Sequence, residues 1–128
     1  MTYETIDRTE LRQKLSSRVL DNTDPEYGLA LVNVLSPDVF DEMHIPSSVN
    51  IPMSELDQFE RRYNKDKDIV VYSASLECDA SERAARALSE RGFRNVYDYE
   101  GGMADWERAN QSTTGRTLTQ RTSSQPPS

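Results

Sequence analysis

The sequence contains one thiol, Cys78, set in a polar stretch between an apolar run ending at Tyr72 and a helix-forming segment opening near Ser81. Strand, loop and helix in that order form the unit that handles nucleophiles and anions in α/β proteins. Ligands gather at the carboxyl ends of the strands, where the N–H groups of the next helix point. A thiol in such a loop can be held well below its free pKa of about 8.5, which favours the reactive thiolate. Its neighbours Glu77 and Asp79 act in the opposite sense, disfavouring a thiolate and repelling an anionic partner. The nearest cations, Arg83 and Arg86, fall within the following helix. Two readings of Cys78 therefore stand side by side. It is the nucleophile of a site, or it is a small loop residue beside an Asp79 that caps the helix, with Glu82 completing a capping box.

The remaining chemistry-bearing residues are sparse. One cysteine cannot form an internal disulfide or a thiolate zinc site, and the single histidine, His44, has no second ligand at metal spacing. No metal and no cofactor is expected. Net charge is −7, a balance that repels phosphates and so argues against nucleic acid and anionic membranes as partners. Apolar runs are far shorter than the roughly 20 residues of a membrane span. No charged-then-apolar leader follows Met1, and the expectation is a cytoplasmic protein.

The elements that must position Cys78 follow from periodicity. Residues 5–7 suggest a short first strand, and Thr9 is the expected cap of a helix whose Leu11, Leu15 and Val19 share a face. Residues 29–35 (LALVNVL) are nearly all apolar, as in a strand buried on both faces of a parallel sheet, with Asn33 near its end or hydrogen-bonded. Ser36-Pro37-Asp38 starts a short helix with Phe40 and Met43 on one face, and residues 49–52 form a short strand closed by proline. Ser54 to Asp57 opens a helix with a capping-box pattern and a Leu56, Phe59, Tyr63 stripe. Residues 69–72 make the central strand, and Ala84, Ala85 and Leu88 face the core from a helix ended by Gly92. Residues 95–99 form the last strand, and a terminal helix buries Met103 and Trp106. Strands alternating with helices imply a parallel sheet covered on both faces. Residues 3–110 are the expected folded domain, and 111–128, rich in Ser, Thr, Gln and Pro, a disordered tail.

Read together, Val34, Phe40, His44-Ile45-Pro46, Asn50-Ile51-Pro52, Gly92-Phe93, Val96, Gly101-Gly102 and Trp106 fall in the order that resembles a rhodanese-like domain over residues 29–110. The resemblance implies a central parallel five-stranded sheet with helices on both faces. Active members move sulfane sulfur from a donor such as thiosulfate to an acceptor through a cysteine persulfide. That cysteine stands straight after the strand, and the loop's N–H groups cradle the anionic donor, usually with an arginine.

Here the position after the strand is Ser73, which cannot hold a persulfide and has no evident base to activate its hydroxyl. The loop 74–80 is longer than the usual connection and carries neither glycine nor arginine. The expected site is Cys78 as nucleophile, Ser73 at the family's nucleophile position, and Ala74, Ser75, Leu76, Glu77, Asp79, Ala80 and Ser81 as the anion-binding loop. A sulfurtransferase or persulfide carrier is the first expectation, with a small sulfur-containing anion or a protein thiol acceptor as partner. A non-catalytic binding or regulatory module is the alternative. His44 and the aromatic residues Tyr72, Tyr97, Tyr99 and Trp106 are read as structural. A phosphatase is disfavoured, because Arg83 follows Cys78 one residue too early for a phosphate loop and lies in the helix.

Overall fold

Alternation of side chains along two central strands sets the layers of the fold, seen in a computed structural model that describes residues 3–109. On β2 (Leu29–Asn33), Ala30 and Val32 pack to one face while Leu29 and Leu31 pack to the other. On β4 (Asp68–Tyr72), Ile69 and Val71 separate from Val70 and Tyr72 in the same way. Such two-sided burial is what the unbroken apolar runs require. With β1 (Glu4–Ile6), β3 (Val49–Asn50) and β5 (Asn95–Tyr99) they form one sheet in the order β1-β5-β4-β2-β3, parallel at every pairing. The expected five-stranded α/β architecture is present, with β4 at its centre.

Helices cover both faces. Phe59 of α3 (Asp57–Arg62) and Ala84, Ala85 and Leu88 of α4 (Ala80–Glu90) close one core with Phe93 and Val96. Leu11 of α1 (Arg8–Ser17) and Met103 and Trp106 of α5 (Gly102–Arg108) close the other with Ile45 and Tyr99. The stripe Leu56, Phe59, Tyr63 is buried as expected. Gly92 ends α4 at φ +100°; its N–H reaches the Ser89 carbonyl at 3.0 Å and the Phe93 N–H reaches Leu88 at 3.1 Å. That is a Schellman turn, open to glycine because the left-handed backbone disfavours a Cβ.

Several caps differ from expectation. Asp7, not Thr9, caps α1: its carboxylate accepts the Glu10 N–H at 2.8 Å, and Glu10 returns to the Asp7 N–H at 3.0 Å. Both carboxylates sit at the positive end of the helix dipole, so the earlier start wins. Val19 lies past the C-cap of α1 and is exposed. A 3-10 turn, Met53–Glu55, precedes α3, and no side chain caps α3 or α2 (Pro37–Glu42). α2 buries none of its residues; Phe40 instead stacks on His44, ring centroids 3.8 Å apart. The expected tail, 111–128, lies outside the described residues.

One buried cation holds the amino-terminal edge of the sheet. Lys67, just before β4, is fully buried, and its Nζ donates to the carbonyls of Asp21, Asp24 and Tyr27 at 2.6–2.7 Å. The polar loop before β2 is thereby closed over the lysine.

Candidate functional site

Strand register brings the site together. Tyr72 lies level with Asn33 on one side and with Tyr99 on the other, so the three strands end at one edge. The chain leaving β4 at Ser73 therefore meets the chain leaving β5 at Glu100. Gly102 makes the junction: at φ +64° its missing Cβ would stand 2.4 Å from the Ser73 carbonyl oxygen. That close approach lets the first N–H groups of α5 work, Met103 donating to Ser73 O at 2.9 Å and Ala104 to Ala74 O at 2.8 Å. Carbonyls at the root of the loop are thus satisfied by a helix terminus whose own donors would otherwise lack partners.

Ser73 is fully buried. Its hydroxyl donates to the Cys78 carbonyl at 3.4 Å and contacts Ser81 Oγ at 3.3 Å. No carboxylate or imidazole is among these partners, in keeping with the reading that Ser73 is no activated nucleophile. Cys78, partly exposed, is tucked into a turn by its own N–H on Ser75 O at 3.0 Å. Burial pushes its thiol pKa up, but hydrogen bonds from the Ala80 N–H, the Ser73 hydroxyl and the Ala74 N–H together outweigh it, and the thiol lies below its ordinary value. Asp79 opposes this shift and is the smallest contribution. Of the two opposing influences expected on the thiol, the lowering one prevails over the flanking acids, because Glu77 and Asp79 are exposed.

α4 starts at Ala80, one residue before the expected Ser81, and Asp79 holds the N-cap position as expected, but its side chain makes no cap hydrogen bond. It faces Arg83 at 3.6 Å, and Glu82 pairs with Arg86 at 2.9 Å, so the expected capping box does not form. Leu76 is 65 % exposed at the loop tip. His44 hydrogen-bonds the Phe40 carbonyl through Nδ1 at 2.8 Å, a structural role. The Tyr72 hydroxyl, buried, accepts the Ile45 N–H at 3.0 Å and contacts Ser48 Oγ at 2.8 Å. Tyr99 donates to Asp105, which Arg8 also binds. Trp106 packs edge-on against Tyr99 in the core.

What periodicity did not reveal is the wall opposite Cys78. A cavity of about 160 Å³ opens beside the thiol, and Tyr3, Ser81, Glu82, Asp98 and Glu100 line it with Cys78 and Asp79. Asp98 is 3 % exposed, hydrogen-bonds Ser81, and leaves Oδ1 without a partner. Burial, more than the neighbouring Glu100 and Glu82, pushes its carboxyl pKa up, against the opposing pull of Ser81. A carboxylate between two tyrosines in a strand, on the same face as the buried Val96, was the available signal. Among the described residues no group of histidine, cysteine and acidic side chains could hold a metal ion, and no helix is long and apolar enough to cross a membrane.

Comparison with known proteins agrees with this architecture. A family model described as Rhodanese-like domain matches residues 9–109, and the chain belongs to that family. It is 36% identical over 81 residues, 63% of its length and 74% of the relative's, to a protein of Pseudomonas syringae named thiosulfate sulfurtransferase GlpE. Over 83 residues, 65% of the chain but 44% of the relative, it is 30% identical to a Bacillus subtilis protein named putative sulfur carrier protein YrkF. Among solved structures, the BH2092 protein from Bacillus halodurans superposes with a TM-score of 0.71 at 26% identity, covering 91% of this chain and 79% of that one.

Proposed function

We propose that this protein is a cytoplasmic sulfur carrier of the rhodanese-like family, holding sulfane sulfur on Cys78. The observation that carries the reading is the place of Cys78, a partly exposed thiol in the loop between the end of β4 and the start of α4. It is turned in by its N–H on Ser75 O at 3.0 Å and by the Ser73 hydroxyl on its carbonyl at 3.4 Å. In spite of burial, its pKa falls below its ordinary value because of the Ala80 N–H, the Ser73 hydroxyl and the Ala74 N–H. Donors fixed before reaction favour a thiolate, and they favour equally the negative charge that a persulfide carries. In loading, the Cys78 thiolate attacks the outer sulfur of a small sulfur-containing anion such as thiosulfate. The donor's S–S bond breaks and its electron pair leaves with sulfite. In discharge, a protein thiolate attacks the sulfane sulfur and Cys78 departs as thiolate. Ser73 serves in this scheme as a hydrogen-bond donor to the sulfur, and the loop 74–81 as its cradle. Sulfur-handling names among the relatives support the class.

Intact-mass measurement of the reduced protein after incubation with polysulfide, then with thiosulfate, is the test. One added sulfur, localised to Cys78, abolished by Cys78→Ala and retained in Ser73→Ala, is expected. No added sulfur from either donor defeats the proposal.

A second reading, a binding or regulatory module without catalysis, is favoured by one observation: no lysine, arginine or histidine lines the Cys78 cavity. If Ser73→Cys switches on thiosulfate:cyanide sulfur transfer in an otherwise inactive protein, that reading replaces the first. Because Ser73 is wholly buried, the carrier reading expects no such gain.

A further inference from the structure

The cavity beside Cys78 has the wrong sign for an anion. Four carboxylates line it, from Asp79, Glu82, Asp98 and Glu100, and no basic side chain does. Arg83 and Arg86 pair with Asp79 and Glu82 on the exposed surface of α4, where such pairs are well screened. Glu100 has no ion-pair partner among the described residues, and Asp98 is a different case from the rest. It is 97 % buried by its 3 % exposure, it lines the cavity, and its Oδ1 is without a hydrogen-bond partner. A buried acceptor left unsatisfied calls for a donor from outside the chain, and a cation is the donor such a wall would take.

Resting on the carrier reading above, we propose that the sulfur acceptor is a small aminothiol, whose ammonium group occupies the acidic cavity between Asp98 and Glu82 while its thiol meets the sulfur on Cys78. A cavity of about 160 Å³ is below the range of roughly 300–1,000 Å³ typical of drug-sized ligands, which argues for a short molecule. The step is balanced without further reagents. The acceptor thiolate forms a bond to the sulfane sulfur, the bond from that sulfur to Cys78 Sγ breaks, and the electron pair returns to Cys78 as thiolate. The product is the acceptor's persulfide. Nothing is oxidised or reduced overall, and the ammonium proton stays in place.

Two measurements test this. In the first, protein loaded with polysulfide is desalted and mixed with cysteamine, 2-mercaptoethanol or 3-mercaptopropionate, and the rate of sulfur loss from Cys78 is compared per thiolate. Expected is a cysteamine rate about tenfold or more above mercaptopropionate at low salt, converging as salt is raised. The persulfide's own charge contributes to that order, so the variants decide: Asp98→Asn and the exposed Glu82→Gln should each shrink the ratio several-fold. A flat order, or a ratio unchanged in both variants, overturns the proposal. In the second, the unloaded protein is titrated with 2-(methylthio)ethylamine or 3-(methylthio)propionate, neither of which has a thiol, and the amide signals of Ser81, Glu82 and Asp98 are followed by NMR. Saturable shifts with the amine only, lost in Asp98→Asn, are expected; their absence overturns the proposal. Should Cys78 refuse to load while the amine binds, the carrier reading fails and the cation site stands. Should Cys78 load with neither amine binding nor rate order, the cation site alone fails.

Discussion

Under the proposed carrier function, Ser73 and Cys78 divide between them what one residue does in a family whose cysteine follows the strand directly. In the proposed carrier scheme the buried serine supplies a donor to the thiol, and the cysteine, displaced along the loop, holds the sulfur. Removing the donor weakens the charged form of the thiol, so Ser73→Ala should raise the Cys78 pKa. Alkylation of Cys78 by iodoacetamide across pH reads this directly. The unmodified protein should reach half its maximal rate at a lower pH than an unperturbed cysteine thiol does under the same conditions, and Ser73→Ala should move that midpoint upward. Unmoved midpoints would show that the hydroxyl does not touch the thiolate. Asp98 titrates in the opposite sense. Its folded-state carboxyl is raised above 3.8, so its share of stability is fullest below that pH and is lost as pH rises through the folded value. Asp98→Asn should therefore melt increasingly above the unmodified protein between pH 4 and 7, by on the order of 1 kcal/mol at neutrality. A difference that stays constant with pH would contradict this.

At the scale of elements, the loop is held at its root by α5 and at its far end by α4. Gly102 is the sensitive point, since alanine there meets the Ser73 carbonyl and takes up a left-handed backbone. Gly102→Ala should cost about 1–3 kcal/mol in urea unfolding and should also change the Cys78 alkylation rate, because the Ser73 and Ala74 carbonyls lose their anchors. Asp7→Ala provides the contrast. Loss of the α1 cap should cost about 1 kcal/mol and leave the alkylation rate as it was, because the hydrogen bonds of that box run between Asp7 and Glu10 and include no residue of the loop. Equal effects of the two variants on Cys78 would refute the assignment of Gly102 to the loop.

At the scale of the whole molecule, the lysine clamp and the candidate site sit at opposite edges of the sheet. The amino-terminal edge is clamped by Lys67 on three carbonyls, and the carboxyl-terminal edge carries Cys78. Lys67→Met keeps the stem but leaves those carbonyls without their charged donor. It should lower stability by about 3 kcal/mol, seen as a lower urea midpoint at an unchanged slope, with Cys78 alkylation in the folded protein unaltered. The net charge of −7 acts over the same scale: at low salt it slows the approach of anions and speeds that of cations, and salt screens both effects.

The sequence by itself determined the layered α/β fold, because its signals are local. Unbroken apolar runs in β2 and β4, the Leu56–Phe59–Tyr63 stripe and the glycine after α4 each report on a few neighbouring residues. It also singled out the loop and both of its candidate atoms, Ser73 and Cys78. Caps were legible only in part: Thr9 and Asp7 both suit the start of α1, and the reciprocal bonds of Asp7 with Glu10 chose between them. The electrostatics of the thiol were decided by tertiary structure alone. Along the chain Cys78 stands between two acids, whereas in space its sulfur meets two N–H groups and a hydroxyl, while the exposed acids turn to arginines or solvent. Asp98 entered the site in the same way, twenty residues along the chain but one strand away, because hydrogen bonds and charges act over ångströms and the parallel register of β4 and β5 sets those distances.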